Sequence, residues 1–399
     1  MSGNVMQHEP PLWLLVLITF SGTLAMHMFV PALPNAAKDL GASVAAMQMT
    51  ISLYILGLAI GQLVYGPLAD RFGRRPTLML GLAIYTVSGV AAAWAPGVPA
   101  LLVARFFQAL GGCAGLVLGR AMVRDTAQGD DVVRRLALLT LMMMAGPGLA
   151  PLLGGLLSAS LGWRSIFLLL TALGLANLAL TWRLLPETRS GPAGSSLASL
   201  RRDYLGLLRS PVFLGYAIGG GCATTSMYAF VAAAPFIFVN DLHRPDYEVG
   251  LYLALLILGM AAGNLLIGRL VGRIGTERLM VGANLLSVLS AALLLGVVLA
   301  GELTVWLAVG PMILFTVGVG MASPAALTKA VSVNPRVVGS AAGLYGFCQM
   351  AVGAACSALA GLGQDQALSA AAVLFAAGAC AQITFWIALS REGRRGGAA

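Results

Sequence analysis

Twelve long apolar runs, most of them separated by loops of a few residues, restrict what this chain can become. They fall at about 12–33, 43–65, 77–95, 99–121, 135–158, 163–185, 211–239, 247–271, 279–300, 303–328, 337–361 and 366–390. Each is long enough to cross a hydrocarbon core of about 30 Å as a helix. In lipid every backbone polar group must be satisfied internally, so such runs read as helices. The predicted class is an all-α membrane protein with twelve transmembrane helices. Composition agrees: 59% of residues are hydrophobic, 10% are charged and the mean hydropathy is +0.88, values foreign to a soluble domain of 399 residues. No basic region precedes the first run and no small-residue cleavage site follows it, so the reading is a retained helix from Leu12 rather than a signal peptide.

The sixth and seventh runs are separated by the only long polar segment, Pro186 to Ser210, rich in Ser, Gly and Arg. It reads as a cytoplasmic linker between an N-terminal six-helix half, 1–185, and a C-terminal half, 211–399. Orientation follows from the positive-inside rule. With the N-terminus in the cytoplasm, only Lys38, Arg164 and Arg244 of 24 Lys and Arg residues fall outside, so both termini are expected on the cytoplasmic side. The net charge of +9 then sets topology and does not imply a nucleic-acid partner. All five cysteines, Cys113, Cys222, Cys348, Cys356 and Cys380, lie in apolar runs without metal-ligand spacing and read as packing residues.

Between the second and third runs stands Gly66-Pro67-Leu68-Ala69-Asp70-Arg71-Phe72-Gly73-Arg74-Arg75. Its glycines and proline suit a tight reversal, Asp70 can face a helix end, and three arginines are held on one side of the bilayer. About 200 residues later Gly268-Arg269-Leu270-Val271-Gly272-Arg273-Ile274-Gly275 echoes it, with Gly272 in the aspartate's place. The first string closely resembles the loop joining the second and third helices in the major facilitator superfamily. Leu101-Leu102-Val103-Ala104-Arg105-Phe106-Phe107-Gln108 is similar to that superfamily's membrane-embedded arginine motif. Gly146-Pro147-Gly148-Leu149-Ala150-Pro151 looks like the Gly-Pro motif of its antiporters. With Arg120-Ala121-Met122-Val123-Arg124-Asp125, Trp163-Arg164-Ser165-Ile166-Phe167 and Leu185-Pro186-Glu187-Thr188, the best resemblance is to the twelve-span drug:proton antiporters, in particular the bicyclomycin and chloramphenicol resistance (Bcr/CflA) subgroup.

That resemblance implies two six-helix halves of the major facilitator fold and a multi-pass protein of the bacterial cytoplasmic (inner) membrane. It implies a monomer, no enzymatic activity, no cofactor and no metal, with protons, a small-molecule substrate and the lipid bilayer as partners. Gating is expected at Gly66, Asp70, Arg71, Gly73, Arg74, Arg75, Gly146 and Pro147. The bland alternatives are topology signals for the arginines and close helix packing for the glycines and prolines.

None of the 15 acidic residues lies in the middle of a run, which leaves His27 and Arg105 as the deep ionisable candidates for proton coupling. A lone His can equally be a neutral, hydrogen-bonded core residue. His27 stands in His27-Met28-Phe29-Val30-Pro31-Ala32-Leu33-Pro34, where the resembling subgroup usually carries an aspartate. Counted from the outer ends of their runs, His27 and Arg105 reach similar depth, and if they approach, the arginine favours neutral imidazole. Without a deep carboxylate, cationic substrates are disfavoured against neutral, zwitterionic or anionic ones. Tyr54, Gln108, Asn264, Tyr345 and Gln349 supply polar positions within runs, and Met227, Tyr228 and Phe236 an adaptable apolar surface, as candidate substrate contacts. The expected function is export of small amphipathic, drug-like molecules by proton antiport and alternating access. The alternative is a dedicated exporter or importer of one metabolite, differently coupled or uncoupled.

Overall fold

The computed structural model describes residues 10–127, 130–188 and 197–396. The 189–196 part of the expected linker and both chain ends lie outside the described residues. Within the described residues, twelve segments are long and apolar enough to cross a membrane. Span one is α1 (Leu12–Met28), a 3-10 turn (Val30–Ala32) and α2 (Leu33–Asp39). Spans two to six are α3 (Val44–Phe72), α4 (Arg74–Ala93), α5 (Val98–Thr126), α6 (Asp130–Leu161) and α7 (Arg164–Leu184). The short helix α8 (Leu197–Leu208) falls within the expected linker. Span seven is α9 (Pro211–Thr225), α10 (Tyr228–Phe236) and a π-helical turn (Ile237–Asp241). Then come α11 (Asp246–Ile274), α12 (Thr276–Leu299), α13 (Val305–Ser332), α14 (Val338–Ala360) and α15 (Gln366–Gly396).

Local chemistry sets these boundaries. Ser43, Ser210 and Thr304 begin α3, α9 and α13 by accepting a hydrogen bond from the backbone N–H three residues on. The reversal expected across Gly66 to Arg75 is shorter than the sequence suggests. Helix α3 runs through Pro67, Asp70 and Arg71 to Phe72, and the chain turns at Gly73 alone, with φ +100°. Charged residues depress hydropathy without ending a helix, which is why the second apolar run ends seven residues before the helix does. Gly275 repeats the turn with φ +86°, and in both cases the glycine N–H donates to a carbonyl four residues back, that of Ala69 or Val271. A side chain is strained at such φ values, so glycine fixes the corner in both places.

Spans one and seven are broken, a feature the hydropathy did not reveal. Pro31 and Pro34 interrupt the first, and a proline cannot donate to the carbonyl four residues before it. The seventh breaks at Ser226 and Met227 and carries Pro235 further on. Its apolar window is 94% buried, against 33% for span twelve, so span seven occupies the centre and not the lipid face.

The spans form two helical bundles. In the first, α1 packs on α5, α6 and α7, while α5 holds α3 and α4. In the second, α9 packs on α13, α14 and α15, and α13 holds α11 and α12. The bundles meet along α3 with α14 and α6 with α11, and the broken stretch after α1 meets α10 and α11. An even number of spans places the start of the first and the end of the last on one side, here termed the terminal face; the opposite side is the distal face.

Candidate functional site

Where the two broken spans meet, a narrow cavity is lined by His27, Val30, Pro147, Pro151, Met227, Val231, Leu253, Leu256, Ile257 and Thr316. Its wall therefore draws on α1, α6, α10, α11 and α13, from both bundles. The free volume at its centre is about 10 Å³, room for roughly one water. His27 is 5% exposed, and its ring centroid lies 6.2 Å from that of Tyr228. Nδ1 is 3.1 Å from the Thr23 carbonyl oxygen, while Nε2 has no partner.

The approach of α6 to α1 frames this histidine. At Gly146 an added Cβ would overlap Thr23 Oγ1, and at Gly154 it would overlap the Met28 carbonyl. The Gly-Pro stretch thus approaches α1 beside the imidazole more closely than a side chain at Gly146 or Gly154 would allow. Pro147 is itself part of the cavity wall.

Arg105 reaches the same stretch of α1 as His27, at Ala25, but from inside the first bundle. It is fully buried, and its Nη1 donates to the Ala25 carbonyl at 3.0 Å and to Gln108 Oε1 at 2.8 Å. Its guanidinium carbon is 4.0 Å from the Tyr54 ring centroid, with the Phe29 and Phe167 rings at 5.5 and 5.6 Å. A desolvated contact of this kind is worth about 2 kcal/mol. Tyr54 in turn donates to the Gly22 carbonyl at 3.1 Å. Arg105 Nε and Nη2 find no partner among the described residues.

The other candidate contacts are dispersed. Met227 is on the cavity wall and the Tyr228 ring lies beside His27, tilted by 44°, whereas Tyr54 and Gln108 contact Arg105. Gln349 Nε2 donates to Thr224 Oγ1 at 2.7 Å, tying α14 to α9. Tyr345 is buried, packed where a Cβ on Gly220 would strike its ring, and Phe236 is buried in the core of its bundle. Asn264 donates to the Met260 carbonyl of its own helix at 3.0 Å. Val30, Pro151, Val231, Leu253, Leu256, Ile257 and Thr316 escaped sequence reasoning because an apolar cavity wall has no composition of its own.

The distal ends of the bundles are joined. Asn35 Nδ2 donates to Asp246 Oδ2 at 2.5 Å, Gln48 Nε2 to Gln366 Oε1 at 2.5 Å, and Ser52 Oγ to Ser357 Oγ at 3.0 Å. Closer to the terminal face, Gln62 Nε2 reaches the Gly346 carbonyl at 3.4 Å.

At the terminal face of the first bundle, Arg74 is bonded to Asp70 at 2.6 Å and to Asp125 at 2.9 Å. Glu187 accepts from the backbone N–H groups of Arg74 and Arg75 at 2.9 and 3.2 Å, capping α4. Arg75 Nη2 also donates to the Trp182 carbonyl at 2.6 Å. Gly66 leaves open space around it, and Arg71 lies 5.2 Å from the Phe72 ring centroid. Asp125 and Glu187 were missed as members of this cluster because they come from distant parts of the chain. The second bundle has a different cluster. Lys329 Nζ lies 2.7 Å from Glu277 and 2.9 Å from Glu392, and Tyr216 donates to Glu392.

Two helical bundles, joined at one face and enclosing a cavity at their broken central spans, define a secondary transporter working by alternating access. The chain belongs to the Major Facilitator Superfamily, whose family model matches residues 15–358. It is 30% identical over 362 residues to a bicyclomycin resistance protein homolog of Haemophilus influenzae, covering 90% of this chain and 89% of that one. It is 30% identical to multidrug resistance protein D of Escherichia coli, covering 85% of each. An uncharacterized transporter of this type from Bacillus subtilis, YdgK, is 29% identical over 94% of both chains. Among solved structures, a D-xylose-proton symporter superposes with a TM-score of 0.74 at 15% identity, covering 93% of this chain and 96% of that one. A nucleoside transporter, NupG, gives 0.75 at 13% identity over 95% and 98%. At those identities the fold is what is shared. The protein is thus a multi-pass membrane transporter of small molecules and not an enzyme, and no group of His, Cys, Asp or Glu among the described residues could hold a metal.

Proposed function

We propose that this transporter is a proton-driven exporter of small amphipathic molecules, of the drug:proton antiporter family and its Bcr/CflA subgroup. The observation that carries this reading is the cavity wall. Its one ionisable side chain is His27, beside a caged arginine and with no carboxylate on the wall. In this reading His27 takes up the proton and Arg105 fixes the electrostatic setting. The bundles correspond to 1–185 and 211–399, linked by 186–210, in a monomer whose terminal face is cytoplasmic in a bacterial inner membrane. The Asp70 to Arg75 cluster and the Gly146-Pro147 segment serve the gating movements. Substrates are neutral, zwitterionic or anionic, because nothing on the wall would compensate a buried cation.

The test is transport in vesicles with an imposed pH gradient, using neutral chloramphenicol and cationic ethidium as probes. Chloramphenicol movement against the proton gradient, abolished by a protonophore, is the expected result. Gradient-insensitive transport would favour the second reading, a differently coupled carrier of one metabolite, which the missing acidic residue also suits. Strong preference for ethidium would contradict the charge assignment.

A further inference from the structure

We propose that the cavity, which the bundles must part to widen beyond the space of one water, selects uncharged molecules carrying a hydrogen-bond donor, a hydroxyl or an amide N–H, because the polar atoms on its wall can only accept. This rests on the reading that the cavity is the transport site.

The argument begins with the histidine tautomer. A backbone carbonyl cannot donate, so the Nδ1 contact with Thr23 O at 3.1 Å places the proton of neutral imidazole on Nδ1. Nε2 is then a bare lone pair, buried and unpartnered. The other polar side chain on the wall is Thr316, whose hydroxyl donates to the Ile313 carbonyl at 2.9 Å and has no second proton to offer. Eight apolar side chains complete the wall. A ligand that brings an O–H or N–H to Nε2 satisfies a buried acceptor; one that brings only an ether or carbonyl oxygen sets two lone pairs against each other.

The same geometry fixes the effect of acid. A proton from solution adds to the Nε2 lone pair, turns that atom into a donor, and makes imidazolium. The hydrogen bond donated by the ligand is then lost, and a lone pair of a hydroxyl or an ether oxygen can accept from Nε2–H in its place. The charged or titratable groups packed around His27 are Arg105 on α5 and Tyr228 on α10, while the wall side chains from α6, α11 and α13 are not ionisable. The ligand's donor hydrogen and the proton therefore compete for one lone pair. The backbone of α1 enforces this, since the Thr23 carbonyl prevents the tautomer from reversing without losing its bond.

The experiment uses the purified full-length transporter in detergent, without any gradient, and a matched pair of probes, 4-phenylphenol and 4-methoxybiphenyl. The phenol should bind about 3- to 10-fold more tightly than its methyl ether, the range of one neutral hydrogen bond. Acidification should narrow that preference, because the ether oxygen can accept from the imidazolium Nε2–H. In His27→Leu the preference should vanish. Because that variant can fail to fold, ¹⁵N-histidine NMR on His8→Gln/His243→Gln protein supplies an independent reading, with the neutral His27 signal expected as the Nδ1–H tautomer. Equal affinities, no binding of the phenol, a preference that survives in His27→Leu, or an Nε2–H tautomer would each overturn the proposal. Loss of proton-driven transport with the phenol preference intact would instead count against the coupling reading alone.

Discussion

The closest interhelical approach beside the site makes Gly154→Ala a sharp test of how α6 supports His27. A Cβ built there would lie 2.7 Å from the Met28 carbonyl carbon and 3.1 Å from Met28 Cα, and would overlap the carbonyl oxygen outright. These are backbone atoms, so no side-chain rotation relieves the clash. Ordinary contact needs about 3.5–4.0 Å, so α1 and α6 must separate by roughly 1 Å, at the upper end of the 1–3 kcal/mol typical of overpacking. Met28 follows His27 directly, so the separation also shifts the imidazole relative to Pro147 and Pro151. Gly148→Ala is the matched control, since its Cβ would meet only Ile257, at an ordinary 3.5 Å. Thermal unfolding in detergent should show Gly154→Ala several degrees below wild type and Gly148→Ala near it, with transport at equal membrane abundance reduced only in the former. Wild-type stability and transport in Gly154→Ala would refute the packing argument.

Other outcomes follow from the same contacts. Arg74→Ala should weaken the terminal face of the first bundle more than Asp70→Asn, because Arg74 holds two carboxylates while Asp70 is 41% exposed and its pair is worth about 1 kcal/mol or less after screening; distance distributions across that face, measured by spin labels, rank the two. Glu187→Ala removes the cap from α4 and should cost about 1 kcal/mol in unfolding experiments, a loss that Glu187→Gln partly restores. Lys329→Met should impair the second bundle more than Arg273→Ala, which sits where the repeat lacks its aspartate; equal effects on transport would remove that distinction. His27→Gln should bind substrate but lose pH-driven uptake in vesicles, and His27→Asp should restore coupling and admit cations; full gradient-driven transport by His27→Gln would exclude the histidine as the coupling group.

Much of the fold was legible because lipid imposes a length and a polarity on every crossing segment. The twelve spans emerged from hydropathy alone, and the echo between Gly73 and Gly275 proved to be the same backbone turn. Hydropathy failed where charge and helix coexist, as at Asp70 and Arg71, and it was blind to the breaks after Met28 and Thr225, since a broken span is as apolar as a straight one. His27 and Arg105 stood out because an ionisable residue is conspicuous in an apolar run. Their surroundings did not, because which face Tyr54 or Tyr345 presents depends on packing between distant helices. The Lys329 cluster was hidden for the same reason: Glu277, Lys329 and Glu392 are ordinary charges near span ends until three helices bring them together.

The cage around Arg105 has a consequence for leakage. Every contact that holds its charge, from Tyr54, Gln108, Phe29, Phe167 and the Ala25 carbonyl, comes from the first bundle, so rocking of the bundles need not disturb it. Rigid-body rocking would carry that positive charge along with its cage intact. Water entering from either face would then meet a fixed cation, which raises the electrostatic barrier to uncoupled passage of hydronium and metal cations, as fixed cations do in water-conducting pores. The expected consequence is a membrane that stays electrically tight while the transporter changes shape, with Arg105 as its insulation.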